Sequence, residues 1–396
     1  MNDSTLDDEC RLLTVLQNSP GIFESIARSN DGELSLQRRL REMYPADVVR
    51  AALSLADLRR RAEGKFSRAS RMWLTRRGLE QSTGETMAHH KSRRFPVGEV
   101  VQDLCCGIGG DTIALASRGP VCAIDCDVAN TMRAAANAAV YGVNGSLRTA
   151  CEDVNDYDVA GSLVHLDPDR RRHRRSRSTR IEEYSPGLES IRRLMRAALG
   201  GSVKVSPMAY FATAFPGCDF VLISVHGECR EATVWFGELS EGEARRASVL
   251  PAGATLSVAG PVEPVAVSEP REWIFDPDPA VVRAGLVDEL ASLRGLSRLD
   301  EVEEYLTGEE PIDSPFAQGL RIESVHAFDL KALRRTIRQR GIGTLDIKAR
   351  HVRVDVDMLR RQLRPRGEIR RTLLIARCAG RPRAIIAERV MDRAPG

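Results

Sequence analysis

The run Asp103-Leu104-Cys105-Cys106-Gly107-Ile108-Gly109-Gly110-Asp111-Thr112 sets a carboxylate directly ahead of a glycine-rich turn. Glycines at 107, 109 and 110 let a backbone turn tightly and approach a ligand closely. A helix opening behind them would present its free N–H groups. A dinucleotide fingerprint would carry a third glycine or an alanine where Thr112 stands, and an apolar residue in place of Asp103. A carboxylate there repels a diphosphate and attracts a cation, such as a sulfonium or an amino acid's ammonium. Asp125 ends the next apolar run, 22 residues on, where an acid can accept from a ribose diol. Asp153 ends the run after that, placed to accept from an exocyclic adenine amine. Three acids at three successive strand ends, beside a glycine turn, make a coherent adenosyl pocket.

A fourth apolar run, Leu163-Val164-His165-Leu166, ends in Asp167-Pro168-Asp169. Asp167 is placed to bind or orient an amine nucleophile, or to act as a base. His165 reads as a packed core histidine. Seven arginines then fall within the eleven residues from Arg170 to Arg180. Arg170, Arg171, Arg172, Arg174 and Arg175 leave the strand end directly and would attract phosphates; the competing reading is a solvated loop with no ligand. Tyr184 follows the run, with Glu182 and Glu183 available to pair some of the arginines.

These residues need a frame to hold them. Residues 1–95 read as helical, from stretches such as "VVRAALSLADLRRRA". Over residues 96–250 strands and helices alternate: "EVVQDLCC", "PVCAIDCD", "SLRTACED", "SLVHLDPD", "GSVKVSPM" and "DFVLISVH" as strands, with "GDTIALASRG" and "VANTMRAAANAAVYG" as helices between the first of them. That alternation implies a parallel, doubly wound α/β sheet. "REATVWFGEL" reads as an antiparallel return at one edge. Residues 251–320 read as a Pro/Gly/Ala-rich connector followed by one helix, "DPAVVRAGLVDELASL". Residues 321–396 form a small α+β module.

Charge is distributed unevenly. From His326 onward the chain carries 19 Lys+Arg against 7 Asp+Glu, and the remainder 39 against 48. A basic block on an acidic body points to a polyanion partner, or else to an arginine-rich solvated surface. No apolar run reaches the length of a membrane span, and "MNDSTLDDEC" lacks the apolar core of a signal peptide, so a cytoplasmic protein with no membrane partner is expected. The nine cysteines never occur as Cys-x-x-Cys and read as reduced thiols, with no metal expected.

"VQDLCCGIGGDTIALA", "VCAIDCD" and "AAANAAVYGV" together resemble the class I S-adenosylmethionine-dependent methyltransferases, nearest the RNA-acting branch that includes trimethylguanosine synthase. The upstream "MWLTRRGLEQST" is similar to that branch's first cofactor motif, and "VHAFDLKALRRTIRQRGIGTLDIKARHVRVDVDMLRRQL" to a C-terminal THUMP-like domain. The resemblance spans residues 60–392 and implies a Rossmann-like class I methyltransferase sheet with S-adenosyl-L-methionine as cofactor. Asp103, Gly107, Gly109 and Thr112, with Cys105, Gly110 and Asp111 in the same turn, would then frame the methionine end. Asp125, Cys126 and Asp127 would hold the ribose, Asp153 would face the adenine, and Thr75 would come from the upstream motif. Nucleic-acid N-methyltransferases often end the fourth strand in Asn or Asp, Pro, Pro and an aromatic. Asp167 and Pro168 fit that ending, but Asp169 and Arg170 stand in the last two places. Stacking on a base would have to come from elsewhere, with Tyr184, Trp73 or an arginine plane as candidates. The leading expectation is methyl transfer to RNA with Asp167, Pro168 and Asp169 at the reacting edge. The alternatives are a methyltransferase for a small molecule or protein, or a non-catalytic RNA-binding protein that keeps the fold.

Overall fold

A computed structural model describes residues 3–30, 32–170, 180–242 and 244–389. The chain divides into two units, Met1–Asp219 with Ala232–Gly242, and Phe220–Glu231 with Glu243–Gly396.

Four helices open the first unit: α1 (Asp3–Gln17), α2 (Pro20–Arg28), α3 (Glu33–Arg41) and α4 (Ala46–Arg61). Apolar residues at helical spacing give them buried stripes. Ile22, Leu36, Leu40, Val49 and Leu55 share one core, which continues into Leu74, Leu79, Ile108 and Ile113. The opening helices therefore pack against the glycine turn and the segment before it. In that segment α5 (Arg76–Gln81) starts at Thr75, whose Oγ1 accepts from the Gly78 amide at 2.9 Å, and α6 (Glu85–Ser92) follows. The hydroxyl satisfies one of the amides a helix start leaves open.

Next come β1 (Val101–Leu104), α7 (Gly110–Ala116), β2 (Val121–Asp125), α8 (Val128–Tyr141), β3 (Leu147–Cys151), β4 (Leu163–Leu166), α9 (Leu188–Ala197), β5 (Gly200–Val205), α10 (Phe211–Ala214), β6 (Asp219–Val225) and β7 (Glu228–Gly237). In the first unit the strands run in the order β3-β2-β1-β4-β5-β7. All neighbours are parallel except β7, which lies antiparallel against β5. The return strand expected at an edge thus sits directly beside β5. Every residue of β4 and β5 is buried, as strands covered on both faces require. Strand order reverses at β1, with β2 on one side and β4 on the other; a ligand crevice forms at such a reversal, outside the carboxyl ends of the strands.

In the second unit β6 pairs parallel with β8 (Ala244–Leu250), and β8 antiparallel with β9 (Ala254–Ala259). Part of the expected connector is therefore a strand. It is followed by β10 (Trp273–Pro277), α11 (Pro279–Arg283) and α12 (Val287–Arg294). The single helix expected here is two, because Gly285 adopts φ +67° and breaks it. The remaining elements are β11 (Ser297–Arg298), β12 (Leu306–Gly308), β13 (Ala317–Ala327), α13 (Leu330–Gln339), β14 (Ile342–Ala349), α14 (Val356–Leu363), β15 (Ile369–Cys378) and β16 (Arg381–Glu388). Seven of the strands form one sheet, in the order β11-β12-β10-β13-β16-β15-β14. Alternate residues of β15 serve its two faces. Leu373 and Ile375 join Leu333, Ile337, Leu359 and Leu363 of the two helices, whereas Leu374 joins Leu299, Tyr305 and Leu320. Among the described residues no helix is long and apolar enough to cross a membrane.

Candidate active site

A cavity of about 710 Å³ opens at the carboxyl ends of β1, β2 and β4. Among the residues singled out in the sequence, Thr75, Asp103, Cys105, Gly107, Gly110, Asp111, Asp125, Cys126, Asp127, Asp153, Asp167, Pro168, Asp169 and Arg170 line it. Gly109, Thr112 and Tyr184 do not. Arg171, Arg172, Arg174 and Arg175 lie outside the described residues.

Asp103 is the second-last residue of β1 and only 1% exposed. Its Oδ2 accepts from the Thr112 hydroxyl, while Oδ1 is buried with no hydrogen-bond partner among the described residues. Burial pushes this carboxyl up to about 6, against the pull of His165. Thr112 is wholly buried and so acts on the site through Asp103, which corrects its expected contact with a ligand. Gly109 is corrected likewise. At φ +85° it caps α7, and a Cβ there would come within 3.1 Å of Ala134 Cα on α8, so it fixes the turn from beneath. Gly107, at φ +56°, lines the cavity, and its missing Cβ would meet nothing within 4 Å. Asp125 ties the turn to β2: it accepts from the amides of Gly107 at 2.9 Å and Asp127 at 3.0 Å, and from Asn130 Nδ2 at 3.3 Å. Burial raises its pKa in spite of those bonds. Asp153 lies two residues past the end of β3 and is exposed. Burial holds the thiols of Cys105 and Cys106 well above their ordinary value, so both stay protonated and offer no nucleophile.

The opposite wall rests on a lysine that pattern reading passed over. Lys204, the second-last residue of β5 and 4% exposed, donates to Asp167 Oδ2 at 2.7 Å, Thr83 Oγ1 at 2.9 Å and the Gln81 carbonyl at 3.2 Å. Thr83 in turn donates to Asp111 Oδ2 at 2.5 Å, and Asp111 Oδ1 lies 2.9 Å from Lys91 Nζ. Burial opposes ionisation of Asp111, yet Lys91, His165 and Lys204 hold it well below the usual carboxylate range. Its carboxylate is thus held within the wall of the cavity it lines. His165 is 2% exposed, with Nδ1 2.7 Å from Ser202 Oγ and Nε2 3.4 Å from Asp111. It is the packed core histidine expected; burial opposes its protonation, but Asp111 raises its pKa. Among the described residues Asp167 Oδ1 carries no hydrogen bond, so Asp167 keeps one acceptor while Oδ2 is held.

Asp169 is not a free carboxylate. Arg77 binds its Oδ2 and Gln81 Nε2 donates to Oδ1 at 2.9 Å, both from α5. Its backbone pairs with Ser185 in both directions, at 2.9 and 3.0 Å, so the segment between begins and ends at one point on the cavity rim. Asp169 thus lines the cavity with its carboxylate paired to α5. Tyr184 is 4% exposed, and its hydroxyl accepts from the Ser206 amide at 3.1 Å, so it offers no face to a base. Trp73 packs edge-on to Phe23, with Arg59 over its ring, and does not line the cavity.

The upstream "MWLTRRGLEQST" carried more than its single candidate, Thr75: Gln81 and Thr83 reach the cavity wall through Asp169 and Lys204. A polar pair at the end of a six-residue helix carries little periodic signal. Lys204 left one clue, a charge within a strand whose six residues are all buried. In the second unit Glu303, Glu304 and His351 bring ligand-type atoms within 4.8 Å of one another. Their groups are already engaged: His351 Nε2 lies 2.7 Å from Glu304, and Glu303 accepts from the amides of Glu304, Tyr305 and Arg377. The cluster is thus tied together by its own hydrogen bonds.

A doubly wound sheet with an acid-lined cavity at its switch point is the class I methyltransferase arrangement. The site suits a sulfonium-bearing adenosyl amino acid: the unpartnered Asp103 oxygen fits an ammonium, and the open space at Gly107 admits a ligand close to the backbone. The family described as RNA cap guanine-N2 methyltransferase matches residues 98–193, and THUMP domain-like matches residues 317–389. A domain family of unknown function matches residues 24–62. An uncharacterised S-adenosylmethionine-dependent methyltransferase of Mycobacterium tuberculosis, from strains CDC 1551 / Oshkosh and ATCC 25618 / H37Rv, is 34% identical over 333 residues, covering 81% of this chain and 90% of its own length. A solved structure of a proposed methyltransferase from Porphyromonas gingivalis W83 shares the fold, with a TM-score of 0.77, at 19% identity over 94% of this chain and 98% of its own. The chain belongs to the family of S-adenosylmethionine-dependent methyltransferases; it is an enzyme, and S-adenosyl-L-methionine is its cofactor.

Proposed function

We propose that this methyltransferase acts on RNA, methylating a nucleophile presented beside Asp167 and Pro168. The observation that carries this reading is the exit of β4. Asp167, Pro168 and Arg170 line the cofactor cavity, and the chain runs on from Arg170 into the arginine segment. A reacting group and a polyanion-attracting segment therefore leave the same strand end. The basic composition of the second unit supports the reading. Lys331, Arg334, Arg335 and Arg338 of α13, and Arg360 and Arg361 of α14, are exposed on helices whose apolar sides face the sheet. The likeness to an RNA cap guanine-N2 methyltransferase family and to THUMP-like domains points the same way.

S-adenosylmethionine supplies an electrophilic methyl on a sulfonium. Asp103 binds the cationic amino acid end, the Gly107 backbone closes on it, Asp125 accepts from the ribose hydroxyls with Cys126 and Asp127 alongside, and Asp153 accepts from the adenine. Thr75, Cys105 and Gly110 complete the wall. Asp167 Oδ1 accepts a hydrogen from the incoming amine and orients its lone pair, so catalysis rests chiefly on positioning. Mass spectrometry of RNA nucleosides from cells lacking the gene, against wild type, tests the reading. One methylated nucleoside is expected to disappear and to return with purified protein. An unchanged RNA profile, with labelled methyl entering protein or small molecules instead, would overturn it.

A further inference from the structure

With Tyr184 buried, Trp73 packed elsewhere and Arg170 in the usual aromatic position, no aromatic among the described residues offers a stacking face at the cavity itself. The chain has 19 aromatic residues, and among those described one alone is exposed: Tyr210, at 84%. It lies in the segment that leaves β5, "SPMAY" (206–210). That strand runs parallel to β4 with Leu166 beside Val203, and the next pair, Asp167 and Lys204, is in contact at 2.7 Å. Ser206 follows two residues later and is tied by its amide to Tyr184, next to the cavity-lining Ser185 and Pro186. Four residues of chain separate Tyr210 from that anchor, at most ~14 Å. Met208, 53% exposed, flanks it. Among the described residues the Tyr210 ring stacks on no other aromatic and its hydroxyl has no hydrogen-bond partner.

We infer that Tyr210 is the base-stacking residue of this site, taking the face of an unpaired nucleobase at or next to the nucleotide held by Asp167. The inference rests on the RNA reading above. An exposed phenol ring has a cost in water that folding does not recover, whereas stacking on a base covers it at little cost in side-chain freedom. Arg170 at the exit of β4 lines the cavity, and its charge draws a phosphate chain to this edge. Stacking needs the ring and not the hydroxyl, which sets the choice of variants.

The test uses the full-length protein with two probes, a ten-nucleotide oligouridylate and an abasic ribose-phosphate oligomer of the same length, read by fluorescence anisotropy. Tyr210→Ala is expected to weaken oligouridylate binding by roughly 5- to 100-fold and to leave the abasic oligomer unchanged. Tyr210→Phe and Tyr210→Trp are expected to bind like wild type, with the added tryptophan quenched by oligouridylate. Calorimetric S-adenosylmethionine binding equal to wild type shows that the alanine variant is folded. If Tyr210→Ala binds oligouridylate normally, or loses both probes equally, Tyr210 does not stack and the inference falls alone. If wild type binds neither probe, the RNA reading falls and takes the inference with it.

Discussion

In the proposed reading Asp103 captures the cationic end of the cofactor. Its carboxyl is buried and pushed up to about 6, and one oxygen has no partner. A cationic ligand favours the ionised form, so binding competes with protonation. Below pH 6 the protonated acid predominates, and affinity for S-adenosylmethionine is expected to be about tenfold weaker at pH 5 than at pH 7.5. Asp103→Asn should bind weakly at every pH, without that slope; calorimetry from pH 5 to 8 decides, and a slope that survives in the variant would assign it to another group. The same shift has a stability consequence of definite sign. The unfolded acid releases its proton near 3.8 and the folded one near 6, so this residue's contribution to stability declines as pH rises through that window. The run of acids and glycines already marked Asp103, Gly107 and Asp125, which line the cavity, because a carboxylate before a tight turn is a local pattern. It did not reveal that Thr112 and Gly109 stand behind the cavity wall, or that Asp111 and Asp169 line it already paired, because a contact is decided by which way a side chain turns. Thr112 turns to Asp103, Asp111 to Lys91, and Asp169 to Arg77.

Elements meet at Lys204. The lysine stands on β5 and joins the exit of β4 to the end of α5, and through Thr83 to Asp111 on α7. Four segments far apart in sequence are thus pinned around one ammonium. Lys204→Met leaves a part-buried carboxylate unpaired at Asp167 and is expected to lower unfolding free energy by about 3 kcal/mol. Combining it with Asp167→Asn should recover part of that loss, since both charges then go together. Urea unfolding of the two single variants and the double measures this coupling, and strictly additive losses would refute it. The strands were legible through β6, but the helices between them only as far as α8, and α9 went unread. The position of β7 beside β5 was not, because strand order depends on pairing partners that periodicity does not name. Likewise β9 hid in a Pro- and Gly-rich stretch: its alternating buried and exposed residues are few, and the pairing with β8 makes the strand.

At the scale of the whole molecule, uneven charge is the property with consequences. The positive excess beyond His326 is displayed on α13 and α14 rather than neutralised in the core. Replacing Arg334, Arg335 and Arg338 by alanine is expected to weaken binding of single-stranded RNA regardless of sequence, and to reduce the slope of log affinity against log salt by about 2. S-adenosylmethionine binding should stay as in wild type. Filter binding at several salt concentrations measures the slope, and an unchanged slope would move the RNA contact off this helix.

The sequence by itself determined the fold class, the cofactor turn and the basic character of the C-terminal block. Each rests on neighbours in the chain: the spacing of apolar residues, glycines beside an acid, and a count of charges. Tertiary structure alone decided which acids keep an oxygen without a partner among the described residues, that a buried lysine holds Asp167, and that Tyr210 is the one described aromatic left in the open. Those outcomes depend on burial and on partners tens of residues away. Asp103 is raised because nothing solvates it, and Asp167 is held because β5 brings Lys204 alongside. Tyr184 is withdrawn because its hydroxyl finds the amide of Ser206.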